Sequence, residues 1–128
     1  MAIEGIVSNL TVNNFKITQD GVYTKTNGNP GMLLVHADWC GHCKHFIPVF
    51  RQISQQLNRD SITFPCVAIE SEELKADDGK LSKALNIEGF PTLLFFDQSG
   101  KIIGNYDGQR DKSSILKSIC NIYHRCMN

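Results

Sequence analysis

The stretch Ala37-Asp38-Trp39-Cys40-Gly41-His42-Cys43-Lys44 decides how the rest of this chain is read. Its two cysteines are separated by two residues, so a helix beginning there places both on one face. Beyond them Phe46, Phe50, Ile53 and Leu57 recur at helical spacing. That period predicts an amphipathic helix over about 41–58. Pro48 lies inside it and predicts a kink, because its ring removes one backbone donor without ending the apolar pattern. Before the pair, the apolar run at 32–37 predicts a short buried strand.

Working outward, 62–69 (ITFPCVAI) predicts a second buried strand, with Pro65 limiting its ladder. Residues 70–79 are polar and predict a loop with a helical start. Leu81, Ala84 and Leu85 predict a short helix. A strong strand at 92–97, a turn at Gln98-Ser99-Gly100 and a strand at 101–108 predict an antiparallel hairpin. Asp111 is placed to cap a last helix with an apolar face of Ile115, Leu116, Ile119, Cys120 and Tyr123. Toward the N-terminus, Asp20-Gly21 between β-formers over 10–26 signals a further hairpin, and 27–31 (NGNPG) a turn. The order predicts an α/β layered domain with a mixed sheet.

A chain of 128 residues predicts one domain, 1–128, large enough to bury a core without disulfide staples. Thirteen basic and 13 acidic residues cancel, and no basic stripe with interleaved aromatics occurs. Both observations argue against nucleic acid and against an anionic membrane surface as partners. The apolar run 93–96 is far too short to span a bilayer. The first residues lack a signal-like apolar core, and the last five (HRCMN) are no retention signal. The expectation is a soluble, cytoplasmic monomer; a removed leader remains compatible with it.

The five cysteines, Cys40, Cys43, Cys66, Cys120 and Cys126, are odd in number and unevenly spaced, a poor disulfide framework. Cys40 and Cys43 admit three readings. A zinc site needs about four ligands, and the pair with His42 or His45 supplies at most three locally. A structural disulfide would close too short a loop to stabilise much. A redox pair fits best. Cys40 falls where unpaired amides and the positive end of the helix dipole favour thiolate. It can attack a disulfide, and Cys43 can resolve the mixed disulfide. An imidazole at His42 would stabilise the reduced form and make the pair more oxidising, and Gly41 leaves room for a substrate backbone.

With these residues in view, ADWCGHCK, the helix after it, EGFPTLLFF at 88–96 and YDGQR at 106–110 together resemble the thioredoxin superfamily. The Trp-Cys-Gly-His-Cys form resembles the catalytic domains of protein disulfide isomerases. The resemblance covers roughly 32–123. It implies a thioredoxin fold, a central mixed sheet flanked by helices. It also implies a disulfide oxidoreductase without metal or organic cofactor, acting on protein thiols and disulfides, with glutathione or a reductase as a further partner. Cys40 would be the nucleophile and Cys43 the resolving thiol. Pro91 would be a cis-proline facing them, Phe90 a ledge for an extended substrate, Trp39 the rim, and Arg110 an aid to deprotonating Cys43.

Two departures matter. Family members carry a buried acid six residues before the first cysteine, the proton acceptor for the second; here Leu34 stands there. The lysine that usually partners it aligns with Cys66. Cys66 reads as a small buried hydrophobe or as a third thiol near the pair; Cys120 reads as core and Cys126 as a free thiol. His36 reads as packing, His45 and His124 as surface. LTVNNF at 10–15 suits the end of a first strand, and a β-hairpin replaces the family's first helix. The rival classes are a non-catalytic peptide-binding module and a zinc module. The missing acid predicts slow resolution by Cys43 unless water, Arg110 or His36 compensates. Leu34→Glu is expected to accelerate mixed-disulfide release near neutral pH; an unchanged rate across the pH range would show that the missing acid does not limit the reaction.

Overall fold

In the computed structural model the described residues are 3, 7–25, 28–58, 63–124 and 126. Seven strands form: β1 (Ser8–Asn9), β2 (Phe15–Thr18), β3 (Gly21–Thr24), β4 (Gly31–His36), β5 (Cys66–Glu70), β6 (Thr92–Phe96) and β7 (Ile102–Tyr106). The helices are α1 (Gly41–Leu57), α2 (Lys80–Ala84) and α3 (Lys112–Tyr123), with 3₁₀ turns at Val12–Asn14 and Glu73–Lys75. The main sheet has the order β1-β5-β4-β6-β7. β4 pairs parallel with β5 and antiparallel with β6, so the sheet is mixed.

β4 is buried at every position because it is the central strand and both its faces are covered. Its alternating side chains divide the core. Met32 and Leu34 pack with Phe46, Phe50 and Ile53 of α1 and Ile115 and Ile119 of α3. Leu33 and Val35 pack with Phe15 and Val22 of the β2–β3 hairpin and with Leu81 of α2. The strand tolerates one close approach: a Cβ on Gly31 would collide with the Pro65 carbonyl and the Phe96 ring. Only glycine leaves that space while the Met32 N–H donates to the Pro65 carbonyl at 3.0 Å.

α1 buries Cys43, Phe46, Phe50, Ile53, Ser54 and Leu57, the predicted stripe with two small additions. Pro48 is exposed within it, where the loss of one backbone donor to the Lys44 carbonyl falls on the solvent side. Asn58 closes the helix by donating to the Ser54 and Phe64 carbonyls and accepting from the Phe64 N–H. Asp111 caps α3 as predicted, accepting from the Ser114 N–H at 2.8 Å. Tyr123 anchors the other end of that helix. Its ring meets Phe64 and Phe95 edge-on, and its hydroxyl donates to the Phe96 carbonyl at 3.0 Å.

The N-terminal hairpin is present, and its register differs from the expectation. Thr18 pairs with Gly21, so Gln19-Asp20 forms the two-residue turn and Gly21, at φ 139°, opens β3. The LTVNNF segment is no strand end. Thr11 caps a 3₁₀ turn there, accepting from the Asn13 N–H, while β1 precedes it. The second buried strand begins at Cys66 because Pro65 has no N–H to enter the ladder; Ile62 lies outside the described residues.

Of the two readings of Cys66 the structure favours the small buried hydrophobe, and the reading of Cys120 and Cys126 needs correction. Cys66 is buried but pairs with Met32, at the end of β4 away from Cys40, whereas Leu34 faces Ala68. Cys66 is therefore no third thiol beneath the active pair. Burial pushes its thiol up to about 12. Cys120 and Cys126 form a disulfide instead of a core thiol and a free one. His124, in the left-handed conformation at φ 58°, ends α3 and lets the chain turn back.

Phe50 is fully buried between the sheet and the helices. Phe50→Ala is expected to destabilise the fold by about 3–5 kcal/mol, measured by denaturant unfolding at unchanged m-value. With the active pair reduced, the denatured protein should titrate three thiols, Cys40, Cys43 and Cys66. A tryptic map without reductant should join the peptide ending at Arg125 to the one beginning at Cys126; five free thiols would refute that pairing.

Candidate active site

The site forms where β4 ends and α1 begins, at the end of the sheet to which the central strand runs. Residues 37–40 make the connection, with the Cys40 N–H donating to the Ala37 carbonyl at 3.1 Å. Cys40 is then the N-cap of α1. Its backbone is extended, and its sulfur accepts the Cys43 N–H at 3.2 Å. Asn, Asp, Ser and Thr usually fill that position with an oxygen; here a sulfur takes the amide that the helix leaves unpaired.

Cys43, one turn into the helix, is fully buried, and Cys40 retains 7% exposure. The two cluster with Ala37, and Phe90 packs against them. Burial, with a lesser contribution from the hydrogen bond to Cys40, pushes the Cys43 thiol up to about 12. The Ala37 N–H and, more weakly, the Arg110 charge pull the other way. Cys43 is therefore a neutral thiol at pH 7.

The Phe90–Pro91 peptide is cis. The Phe90 carbonyl lies 3.5 Å from the Cys40 sulfur, within reach of its S–H. Trp39 is 71% exposed and meets Phe90 edge-on, with ring centroids 5.6 Å apart. Arg110 donates to the Pro91 carbonyl at 3.4 Å, which holds its charge over the proline. The segment at Phe90 and Pro91 separates two grooves. One is lined by Trp39, Leu74 and Phe90 with Lys75 and Asp78. The other, more polar, is lined by Glu88, Thr92, Asp107 and Arg110. Gly41 faces open space, and His42 is exposed on the first turn of α1.

The structure thus gathers Trp39, Cys40, Cys43, Phe90, Pro91 and Arg110 around one sulfur, with Gly41 and His42 on the outer side. Leu34 lies beneath them in the apolar core beside Leu93 and Ala68. The sequence reading missed Glu70. Its carboxylate accepts from the Asp38 N–H at 3.0 Å, the Ser71 hydroxyl at 2.9 Å and the Glu72 N–H at 2.7 Å. Burial pushes this carboxyl up, and the three hydrogen bonds outweigh it, leaving it below the usual glutamate range. One signal was available: an acid closing the apolar run Val67-Ala68-Ile69 is costly unless it is bonded. Among the described residues no three His, Cys, Asp or Glu side chains group to hold a metal.

A thioredoxin family model matches residues 10–121. Protein disulfide-isomerase erp38 of Neurospora crassa is 32% identical over 121 residues, covering 93% of this chain and 30% of that protein. The chain therefore spans about a third of that relative's length. Among solved structures, human ERp44 form II superposes with a TM-score of 0.71 at 18% identity, covering 94% of this chain and 31% of the other. The short form of thioredoxin f from spinach chloroplast superposes at 0.66 and 19% identity, covering 94% and 96%. With its mixed sheet, its Cys-x-x-Cys at the head of α1 and its cis-proline beside it, this chain belongs to the thioredoxin family.

Proposed function

We propose that the domain exchanges disulfides with protein substrates through Cys40 and Cys43. The observation that carries this reading is the placement of the Cys40 sulfur. It accepts an amide at the head of α1, retains the only solvent access of the pair, and lies 3.5 Å from the carbonyl of a substrate ledge. A helix N-terminus holds negative charge well, and the thiolate is the attacking species in thiol–disulfide exchange.

In the reductive direction the Cys40 thiolate attacks a substrate disulfide. One sulfur–sulfur bond forms, one breaks, and a substrate thiolate leaves. Cys43 then attacks the Cys40 sulfur, releases the second substrate thiol and leaves Cys40–Cys43 oxidised. Two electrons pass from the pair to the substrate, and Cys43 must shed its proton in the second step. The oxidative direction is the reverse. Phe90 and Pro91 form the ledge along which an extended substrate segment lies, with Trp39 at its rim; Arg110 eases the deprotonation of Cys43. The name of the Neurospora relative supports protein disulfides as the substrate class.

A non-catalytic peptide-binding module would use the same ledge without turnover, and one assay separates the two. The wild-type protein is expected to catalyse reduction of insulin disulfides by a small dithiol, and Cys40→Ser to abolish it. Cys43→Ser should instead accumulate a covalent mixed disulfide at Cys40, seen as a mass increase equal to the bound thiol. Equal turnover by wild type and Cys40→Ser would overturn the catalytic reading.

A further inference from the structure

Cys43 must lose its proton in the resolving step, yet its immediate surroundings are apolar and Leu34 offers no base. The alternation along β4 decides what else lies on that side of the sheet. Met32 and Leu34 face α1, so His36, two residues on, faces it as well. On β5, Cys66 and Ala68 share that face, and Glu70 follows them in the same alternation, paired across the strands with His36.

His36 is 1% exposed, and both of its ring nitrogens lack a hydrogen-bond partner among the described residues. A buried imidazole left so costs free energy. It precedes Ala37, whose N–H points at the Cys43 sulfur and whose side chain packs with both active cysteines. Burial lowers the basicity of the imidazole, against the pull of Glu70 and Asp38. His36 is therefore neutral at pH 7 and carries one free lone pair.

We propose that His36, backed by the Glu70 carboxylate, accepts the Cys43 proton when Cys43 resolves a mixed disulfide. The inference rests on the oxidoreductase reading above. The step balances: the proton leaves Cys43 for an imidazole nitrogen, directly or across one water. The Cys43 sulfur bonds to the Cys40 sulfur, and the substrate sulfur departs with the electron pair of the broken bond. The imidazolium then returns its proton to that thiolate or to solvent. Glu70 is a positioning residue. Its charge, held by three hydrogen bonds, favours the imidazolium once formed, and one of those bonds fixes the Asp38 amide in the loop that carries Cys40. The charges that act on His36 are those of Glu70 from β5, Asp38 from the loop and the N-terminal ammonium. Cys43 is buried on α1, the helix toward which the alternation of β4 turns His36, and it is the group that must give up a proton during resolution.

The test is stopped-flow reaction of the fully reduced protein with an aromatic disulfide that releases a coloured thiolate. A first phase reports attack by Cys40, and a second, absent in Cys43→Ser, reports resolution. In His36→Phe, with folding checked by circular dichroism, the second phase is expected to slow at least about tenfold relative to the first at pH 7. Its pH profile should lose the inflection in the histidine range and rise only with alkali. Glu70→Gln should keep an inflection but move it to lower pH, and His36→Gln should behave as His36→Phe. Wild-type ratios and an unshifted profile in both His36 variants would overturn the relay while leaving the oxidoreductase reading intact. A wild-type protein without a second phase would overturn both.

Discussion

The hydrogen bond from the Cys43 amide to the Cys40 sulfur is the constraint around which the site is arranged. A helix cannot begin without placing its first amides somewhere. By placing one on a sulfur, the chain makes the start of α1 and the position of its reactive atom a single structural event. The rest of the fold determines where that event happens. β4 is enclosed on both faces and delivers residues 37–40 to one end of the sheet. The apolar stripe of α1 pins the helix above it. β6 brings Phe90 and Pro91 alongside.

Much of this was legible because it depends on local pattern. The stripe from Phe46 to Leu57, the Asp111 cap and the apolar run of β4 each announce their element through residue type and period. The pairing of strands is different, because register is set by the whole sheet. Aligning Cys66 with a family lysine places it near Leu34; the parallel ladder places Ala68 there and moves Cys66 a full pleat toward Met32. The hairpin turn slipped by one residue for a related reason. Asp20-Gly21 names the right neighbourhood, but Phe15 and Val22 must both face the core, and that sets the turn at Gln19-Asp20.

The C-terminal disulfide was illegible for a third reason. Cys120 and Cys126 are six positions apart, and a continuing helix would put them on different faces. The helix instead ends at His124 in a left-handed residue, which no periodicity encodes. His36 was read as packing because it ends an apolar strand. Its burial was foreseen; what the sequence did not disclose is that neither nitrogen finds a partner among the described residues and that a bonded carboxylate pairs with it across the strands.

The unequal burial of the two sulfurs has a consequence for the order of events. Since Cys43 is sealed behind Cys40, a molecule arriving from solution meets one sulfur and never chooses between two. On the exchange reading proposed above, wrong-end attack and capture of the second thiol are limited by access, not by affinity. The pair behaves as a queue with a fixed first place, and the direction of approach is built into the shape of the protein before any chemistry occurs.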